Sequence, residues 1–259
     1  FKKCSGVSTD SRFIGKDELF IGLKGPNFNG NKYAEKAIEG GAKYAIVDEK
    51  EFAIDERYIL VKNCLESLQE LSNYHRNKLK VKVIGITGSN GKTTSKELIN
   101  SVLKKKFITT YTKGNLNNHI GVPLTLLKIT SETEIAIIEM GANHIGEIAL
   151  LSKICNPDFG YITNFGKAHL EGFRSEEGVI KGKKELYDYI KKKKGIENRS
   201  LFPPITLCGV ALICFFDHIS SMSPKLIIIS SLLAITFSHF LLGSSTSKPG
   251  VPSVNKSVK

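Results

Sequence analysis

Apolar positions along the chain fall into short uninterrupted runs, separated by glycine, proline and polar punctuation, and this rhythm changes twice. In residues 1–80 the runs are brief and mixed. Glu18 to Leu23 has the pattern of a strand ending in the turn Lys24-Gly25-Pro26-Asn27. Tyr33 to Glu39 predicts a short helix stopped by Gly40-Gly41, and Tyr44 to Val47 a buried strand closed by Asp48. In residues 81–194 strands and helices alternate, which predicts a parallel sheet covered by helices. Val81 to Thr87 is the first strand of this region and Thr94 to Lys105 the helix that follows. In that helix the i,i+4 pairs Leu98/Val102 and Ile99/Leu103 are expected to form the buried stripe. Ile135 to Ile138 and Phe159 to Thr163 are two more apolar strands. The predicted architecture is a small N-terminal α/β domain followed by a partial parallel-sheet α/β domain.

From 195 to 259 the alternation ends. Charges become sparse, and two apolar runs, Leu201 to Phe216 and Leu226 to Leu242, precede a Ser/Pro/Lys-rich end. The second run is about 17 residues, at the lower limit for spanning a bilayer. It reads either as a membrane-associated segment over 226–242 or as an aberrant C-terminus without a function of its own.

Composition changes this picture little. Hydrophobic residues make up 41% and charged residues 24% of 259 residues, as in soluble globular proteins. The chain starts at Phe1 without an apolar leader, which reads as a missing natural start and a cytoplasmic location. Cys4, Cys64, Cys155, Cys208 and Cys214 lack CxxC spacing and read as free thiols in a reducing compartment. The net charge of +12 raises the question of nucleic acid. Much of that charge, however, is concentrated in Lys181 to Lys194 without aromatic interleaving, so a solvated lysine face or an anionic small substrate accounts for it, and no nucleic acid is expected.

The strongest chemical signal is Gly88-Ser89-Asn90-Gly91-Lys92-Thr93-Thr94, set between a predicted strand and a predicted helix. Backbone N–H groups of such a turn wrap a phosphate, and the helix N-terminus adds its dipole. Lys92 then reaches the β/γ-phosphates of ATP, and the Thr93 hydroxyl ligates Mg²⁺. The longer G-x-x-x-x-G-K-[ST] pattern fails at one place, because Ile86 stands where its first glycine belongs. Glu139 ends the strand Ile135 to Ile138, beside the loop's own strand, where a magnesium-holding carboxylate belongs. A third polar loop, Thr163 to Phe173, empties from the strand Phe159 to Thr163 and contains Asn164 and His169. The imidazole of His169 either serves a metal or is simply exposed.

Together and in this order, these elements resemble the Mur ligase family, the ATP-dependent amide-forming enzymes of peptidoglycan synthesis. Gly114-Asn115-Leu116-Asn117-Asn118-His119-Ile120-Gly121-Val122-Pro123 and Glu139 to Ile148 are most similar to the branch that adds D-alanyl-D-alanine to UDP-N-acetylmuramoyl-tripeptide. Ser8-Thr9-Asp10-Ser11-Arg12, with Leu19 to Gly25, resembles the family's UDP-sugar-binding domain. The resemblance covers about residues 5–194. It implies ATP phosphate held by Gly88 to Thr94 with Asn164, and magnesium held by Thr93, Glu139, His169 and Lys183. Catalytic roles fall on Lys92, His169 and Lys183, where Lys183 matches a lysine that becomes carbamylated; the neighbouring Lys184 leaves that register open. Ser11, Arg12, Asn117 and Asn118 are the expected UDP-substrate contacts, and a monomer is expected.

The family's third domain, which helps hold the nucleotide and carries the incoming amino-acid or dipeptide site, has no recognisable counterpart after Lys194. The resemblance therefore implies that this polypeptide alone does not complete ligation. Two other readings remain at this stage: a non-catalytic nucleotide- or UDP-sugar-binding remnant tethered to a membrane, and a folylpolyglutamate-synthetase-like member of the same superfamily. The Asn115 to Pro123 phrase argues against the second.

Overall fold

A computed structural model describes residues 1, 3–166 and 170–194. The apolar runs after Leu201, the possible membrane segment 226–242 and His169 lie outside the described residues. Among those described, no helix is long and apolar enough to cross a membrane.

The strands, in chain order, are β1 (Val7–Ser8), β2 (Leu19–Ile21), β3 (Lys24–Gly25), β4 (Phe28–Asn29), β5 (Tyr44–Val47), β6 (Tyr58–Leu60), β7 (Lys82–Thr87), β8 (Thr109–Tyr111), β9 (Ile135–Glu139) and β10 (Phe159–Ile162). The helices are α1 (Ala34–Glu39), α2 (Cys64–Lys78), α3 (Lys92–Leu103), α4 (Gly121–Leu126), α5 (Glu147–Cys155), α6 (Leu170–Phe173) and α7 (Glu176–Lys193).

Two four-stranded sheets result, and every pairing within them is parallel, as the apolar runs imply. The first has the order β1-β2-β5-β6. Its central β2 is buried along its whole length because both faces are covered. The predicted turn after β2 is a small antiparallel hairpin, with Lys24 paired to Asn29 and Gly25 to Phe28. Asp48 anchors it: its carboxylate accepts from Asn31 Nδ2 at 2.8 Å and from the Cys64 N–H at 3.1 Å, and it pairs with Lys24 at 3.0 Å.

The second sheet has the order β10-β7-β9-β8. The chain runs from central β7 outward to β8, returns to β9, and then crosses to the other side of β7 as β10. This reversal of direction opens a crevice at the carboxyl ends of the strands, the usual place for a ligand in open α/β sheets. Its core joins Val83, Ala136, Ile138, Met140 and Ile162 to residues of the covering helices, among them Val122, Ile148, Leu151 and Leu186.

Helix α2 links the two sheets. Asn63 caps it, accepting from the Glu66 N–H. Cys64 and Leu68 on one side pack with Leu19, Ile21 and Ile46 of the first sheet and with Leu127 after α4. Its other end reaches the second sheet through Arg76. That guanidinium donates to the carbonyls of Cys155 and Asn156 at 3.2 and 3.1 Å and pairs with Asp158 at 2.8 Å. Burial pushes the Asp158 carboxyl up, but the Val83 N–H, Lys193 and the Arg76 charge outweigh it and hold the group below the ordinary carboxylate value.

The buried stripe of α3 differs from the predicted one. Leu98 is 44% exposed, whereas Ser95, Lys96, Asn100 and Leu103 face inward. Leu103 of the predicted stripe is buried and Ile99 and Val102 are half-buried, but Leu98 is displaced because α3 turns a polar stripe toward the sheet's charged edge. Asn100 there accepts from the Thr109 hydroxyl at 2.8 Å, and Lys96 meets Glu139. The helix also starts two residues before Thr94, since Gly91 at φ 75° forms its N-cap and turns Lys92 and Thr93 into the first turn.

Replacing Arg76 with Met leaves Asp158 and two carbonyls without their buried partner. The expected loss is about 3 kcal/mol of unfolding free energy, read from urea denaturation at pH 7. Because the folded Asp158 value is depressed, its contribution is present above the ordinary carboxylate range and fades as pH falls through and below it. The wild-type and Arg76→Met curves should therefore converge toward acid pH.

Candidate active site

The crevice holds two of the expected elements, the glycine loop and the strand-terminal carboxylate. The loop leaves β7 at Gly88, whose φ of 141° is open to glycine and where a Cβ would lie 1.9 Å from the Thr163 hydroxyl oxygen. That close approach lets the end of β10 clasp the loop. The Ser89 N–H donates to the Asn164 carbonyl at 3.2 Å, and the Ser89 hydroxyl to the Gly166 carbonyl at 2.9 Å. The Asn164 carboxamide pairs with the Asn90 backbone, accepting its N–H at 3.0 Å and donating to its carbonyl at 3.4 Å. Asn164, expected among the nucleotide contacts, thus holds the shape of the loop. Lys92 is curled over it, Nζ donating to the carbonyls of Gly88 at 2.8 Å and Ser89 at 3.2 Å. Burial lowers the pKa of Lys92 and the Glu139 charge opposes that shift. Thr94 follows in the exposed first turn of α3.

Glu139 is 1% exposed and surrounded by donors. Its carboxylate accepts from the Thr93 hydroxyl at 3.0 Å and from Asn117 Nδ2 at 2.9 Å, and Lys96 Nζ stands 3.5 Å away. The Thr112 hydroxyl accepts the Glu139 N–H at 2.9 Å and fixes the strand end from behind. Asn117, assigned by resemblance to the UDP substrate, is committed to Glu139 in this arrangement. Asn118 accepts from the N–H groups of Ile120 and Gly121 at 3.1 and 2.9 Å and so caps the entry to α4. Lys96 and Thr112 escaped the sequence reading. Lys96 left a trace there: it lies one helical turn after Lys92 and so on the same face of α3.

Lys183, on α7, is 1% exposed while Lys184 faces solvent. Its Nζ donates to the Ala142 carbonyl at 3.3 Å, three residues beyond Glu139, and lies 5.2 Å from the centre of the Phe173 ring. Burial first, and then the positive charge of Lys92, bring its pKa down to about 8, against the opposing pull of Glu147 and Glu185. Glu185 locks α7 in place, accepting from the Gly146 and Ala149 N–H groups at the start of α5 at 2.7 and 2.9 Å. The remaining expected residues are elsewhere. Ser11 and Arg12 form a short turn after β1, where Arg12 is exposed and pairs with Asp10 at 2.6 Å.

Thr93 and Glu139 offer hard oxygen donors side by side, the chemistry that magnesium prefers when phosphates and water complete its shell. Among the described residues, no group of three or more His, Cys, Asp or Glu side chains forms a protein-only metal cage. The donor set therefore fits a cation that arrives with a phosphate ligand.

The fold and site define a parallel-sheet α/β protein with a phosphate-binding loop and an adjacent acidic cation position. The family profile described as the Mur ligase middle domain matches residues 86–200, and that described as the Mur ligase family catalytic domain matches residues 3–83. Over these residues the chain belongs to the Mur ligase family. It is 43% identical over 189 residues to the UDP-N-acetylmuramoyl-tripeptide–D-alanyl-D-alanine ligase of Bacillus subtilis, an alignment covering 72% of this chain and 41% of that protein. The crystal structure of MurF from Acinetobacter baumannii superimposes with a TM-score of 0.67 at 38% identity, over 72% of this chain and 41% of that one. MurF from Thermotoga maritima in complex with ADP gives 0.66 at 33% identity, over 72% and 43%. The chain thus spans about 41% of the length of the curated relative from Bacillus subtilis.

A buried lysine with a lowered pKa destabilises the fold wherever the unfolded chain holds the proton more tightly. Stability should therefore rise with pH between about 8 and the ordinary lysine value of 10.5. Lys183→Met should remove that rise and gain roughly 3 kcal/mol at pH 7, the equivalent of the lowered value. Chemical denaturation at a series of pH values measures both; an unchanged slope in the variant would show that Lys183 is not its source.

Proposed function

We propose that this chain is the UDP-substrate- and ATP-binding part of a monomeric, cytoplasmic Mur ligase for the addition of D-alanyl-D-alanine to UDP-N-acetylmuramoyl-tripeptide, and that by itself it does not complete the ligation. The observation that carries the reading is Lys92, Thr93 and Glu139 meeting at the carboxyl edge of a sheet whose relatives bear that activity in their names. In this reading residues 1–80 hold the UDP-linked substrate and residues 81–194 the ATP phosphates.

The tripeptide carboxylate oxygen attacks the γ-phosphorus of ATP, and the bond to the β-phosphate oxygen breaks to release ADP. The free amine of D-alanyl-D-alanine then attacks the acyl carbon, phosphate leaves with the mixed-anhydride oxygen, and the surplus amine proton passes to the departing phosphate or solvent. The first step brings two anions together, so its barrier is largely electrostatic. Lys92 swings from its own loop carbonyls to the phosphates, and the N-terminus of α3 adds its dipole. Thr93 and Glu139 would hold magnesium, which when bound offsets phosphate charge. Lys183 suits carbamylation because a pKa of about 8 leaves part of it as the free amine that reacts with CO₂. The resulting carbamate would face the loop after Glu139.

Calorimetric titration of the protein with ATP and Mg²⁺, and separately with UDP-N-acetylmuramoyl-tripeptide, tests the reading. Both should bind. Lys92→Ala should weaken ATP binding about 10- to 100-fold, the worth of a charge-assisted contact, and leave UDP-substrate affinity unchanged. Removing Mg²⁺ with a chelator should also weaken ATP binding. Binding of folates in place of the UDP-linked peptide would overturn the assignment.

A further inference from the structure

Lys96 has no part in the proposed reaction, yet it is the most completely buried cation at the site. Its side chain is 0% exposed, on the face of α3 that is turned away from solvent. Nζ lies 3.5 Å from Glu139 Oε2, 3.4 Å from Glu97 Oε1 and 3.4 Å from the Gly114 carbonyl, which opens the loop leading to Asn117. Tyr111 stands beside it, with its ring centre 6.0 Å from Nζ. Glu97 is half exposed and largely hydrated, so the buried Glu139 is the anion that Lys96 balances. Burying a lone lysine there would be expensive, and so would burying a lone carboxylate; each makes the other tenable.

This pairing has a consequence for cation capture. Without Lys96, Glu139 would present a full negative charge in a low-dielectric pocket and attract any divalent cation. With Lys96 at 3.5 Å much of that charge is already countered. A cation then needs further anionic ligands to bind, and the nucleotide phosphates at the neighbouring loop supply them. We infer that Lys96 is a positioning residue, the resident counter-charge of Glu139, which makes divalent-cation binding conditional on bound nucleotide. It does so while tying Glu139 to the Gly114 loop, so that Asn117 and Thr93 meet the carboxylate in one arrangement.

The inference rests on the nucleotide–cation reading above, and the experiment separates the two. Mn²⁺ serves as the probe, with its free concentration read by electron paramagnetic resonance during titration of the full chain, with and without ADP. Wild-type protein should take up Mn²⁺ with ADP and bind it weakly without. Failure to bind with ADP would overturn the nucleotide–cation reading itself. Lys96→Met, close in shape but uncharged, should bind Mn²⁺ without nucleotide on the order of tenfold more tightly than wild type. Lys96→Arg, which keeps the charge, should behave as wild type. If Lys96→Met is unfolded in metal-free buffer by circular dichroism, Mn²⁺ alone should restore its fold, as it replaces the missing counter-charge. A folded Lys96→Met that binds Mn²⁺ no better than wild type, or an unfolded one that Mn²⁺ does not rescue, overturns the inference.

Discussion

The arrangement of the second sheet's carboxyl edge depends on one buried carboxylate. Glu139 ends a strand whose preceding residues are all buried and apolar, so its charge is delivered into a place where water cannot neutralise it. Protein groups must do so, and they come from two separate segments: Thr93 and Lys96 from α3, and Asn117 from the loop after β8, where Thr112 also holds the Glu139 backbone from behind. The requirement to satisfy this group explains why α3 turns a polar stripe inward at the expense of Leu98. The order of the site follows from the same need, since the residues that neutralise Glu139 include the loop threonine that would share a cation with it.

Around this centre the loop and its neighbours are arranged before any ligand arrives. Asn164 and Thr163 clasp the glycine loop from the end of β10, and the absence of a side chain at Gly88 permits the approach. Lys92 is bound to its own loop carbonyls and needs only to exchange them for phosphate oxygens. Lys183 reaches the same edge from α7, far along the chain, because Glu185 pins that helix to the start of α5. Burying Lys183 is costly, the nearby charge of Lys92 adds to the cost, and both appear in its lowered pKa.

The first sheet is tied to this machinery by α2. Its apolar side shares a core with β2, β5 and Leu127, and its far end places Arg76 against the entry to β10. One helix and one ion pair thus join the first sheet to the strand that clasps the phosphate loop. The polar knot of Asp48, Asn31 and Lys24 performs a local version of the same task by fixing the small hairpin against the start of α2.

Some of this was legible in the chain before any coordinates. Uninterrupted apolar runs determined parallel strands, because a strand covered on both faces must be apolar at every position. The spacing Gly88, Gly91, Lys92, Thr93 determined a phosphate loop, because backbone conformation and dipole there are local properties. Glu139 was legible for a similar reason, as an acid at the end of an apolar strand. What the chain did not reveal depends on contacts between distant segments. Lys96 looks like an ordinary helix lysine, since nothing local distinguishes a cation facing a buried carboxylate from one facing water, and Lys183 was singled out only by resemblance. The buried face of α3 was partly misread for the same reason, its direction being set by Glu139, 36 residues beyond the end of the helix. Asn164 and Asn117 appeared as ligand contacts, and only the packed structure shows them engaged with the loop and the carboxylate. Local conformation and the burial of the strands were therefore settled by the sequence alone. Which charges were to be paired, and by what, was decided when the sheet brought its carboxyl ends together.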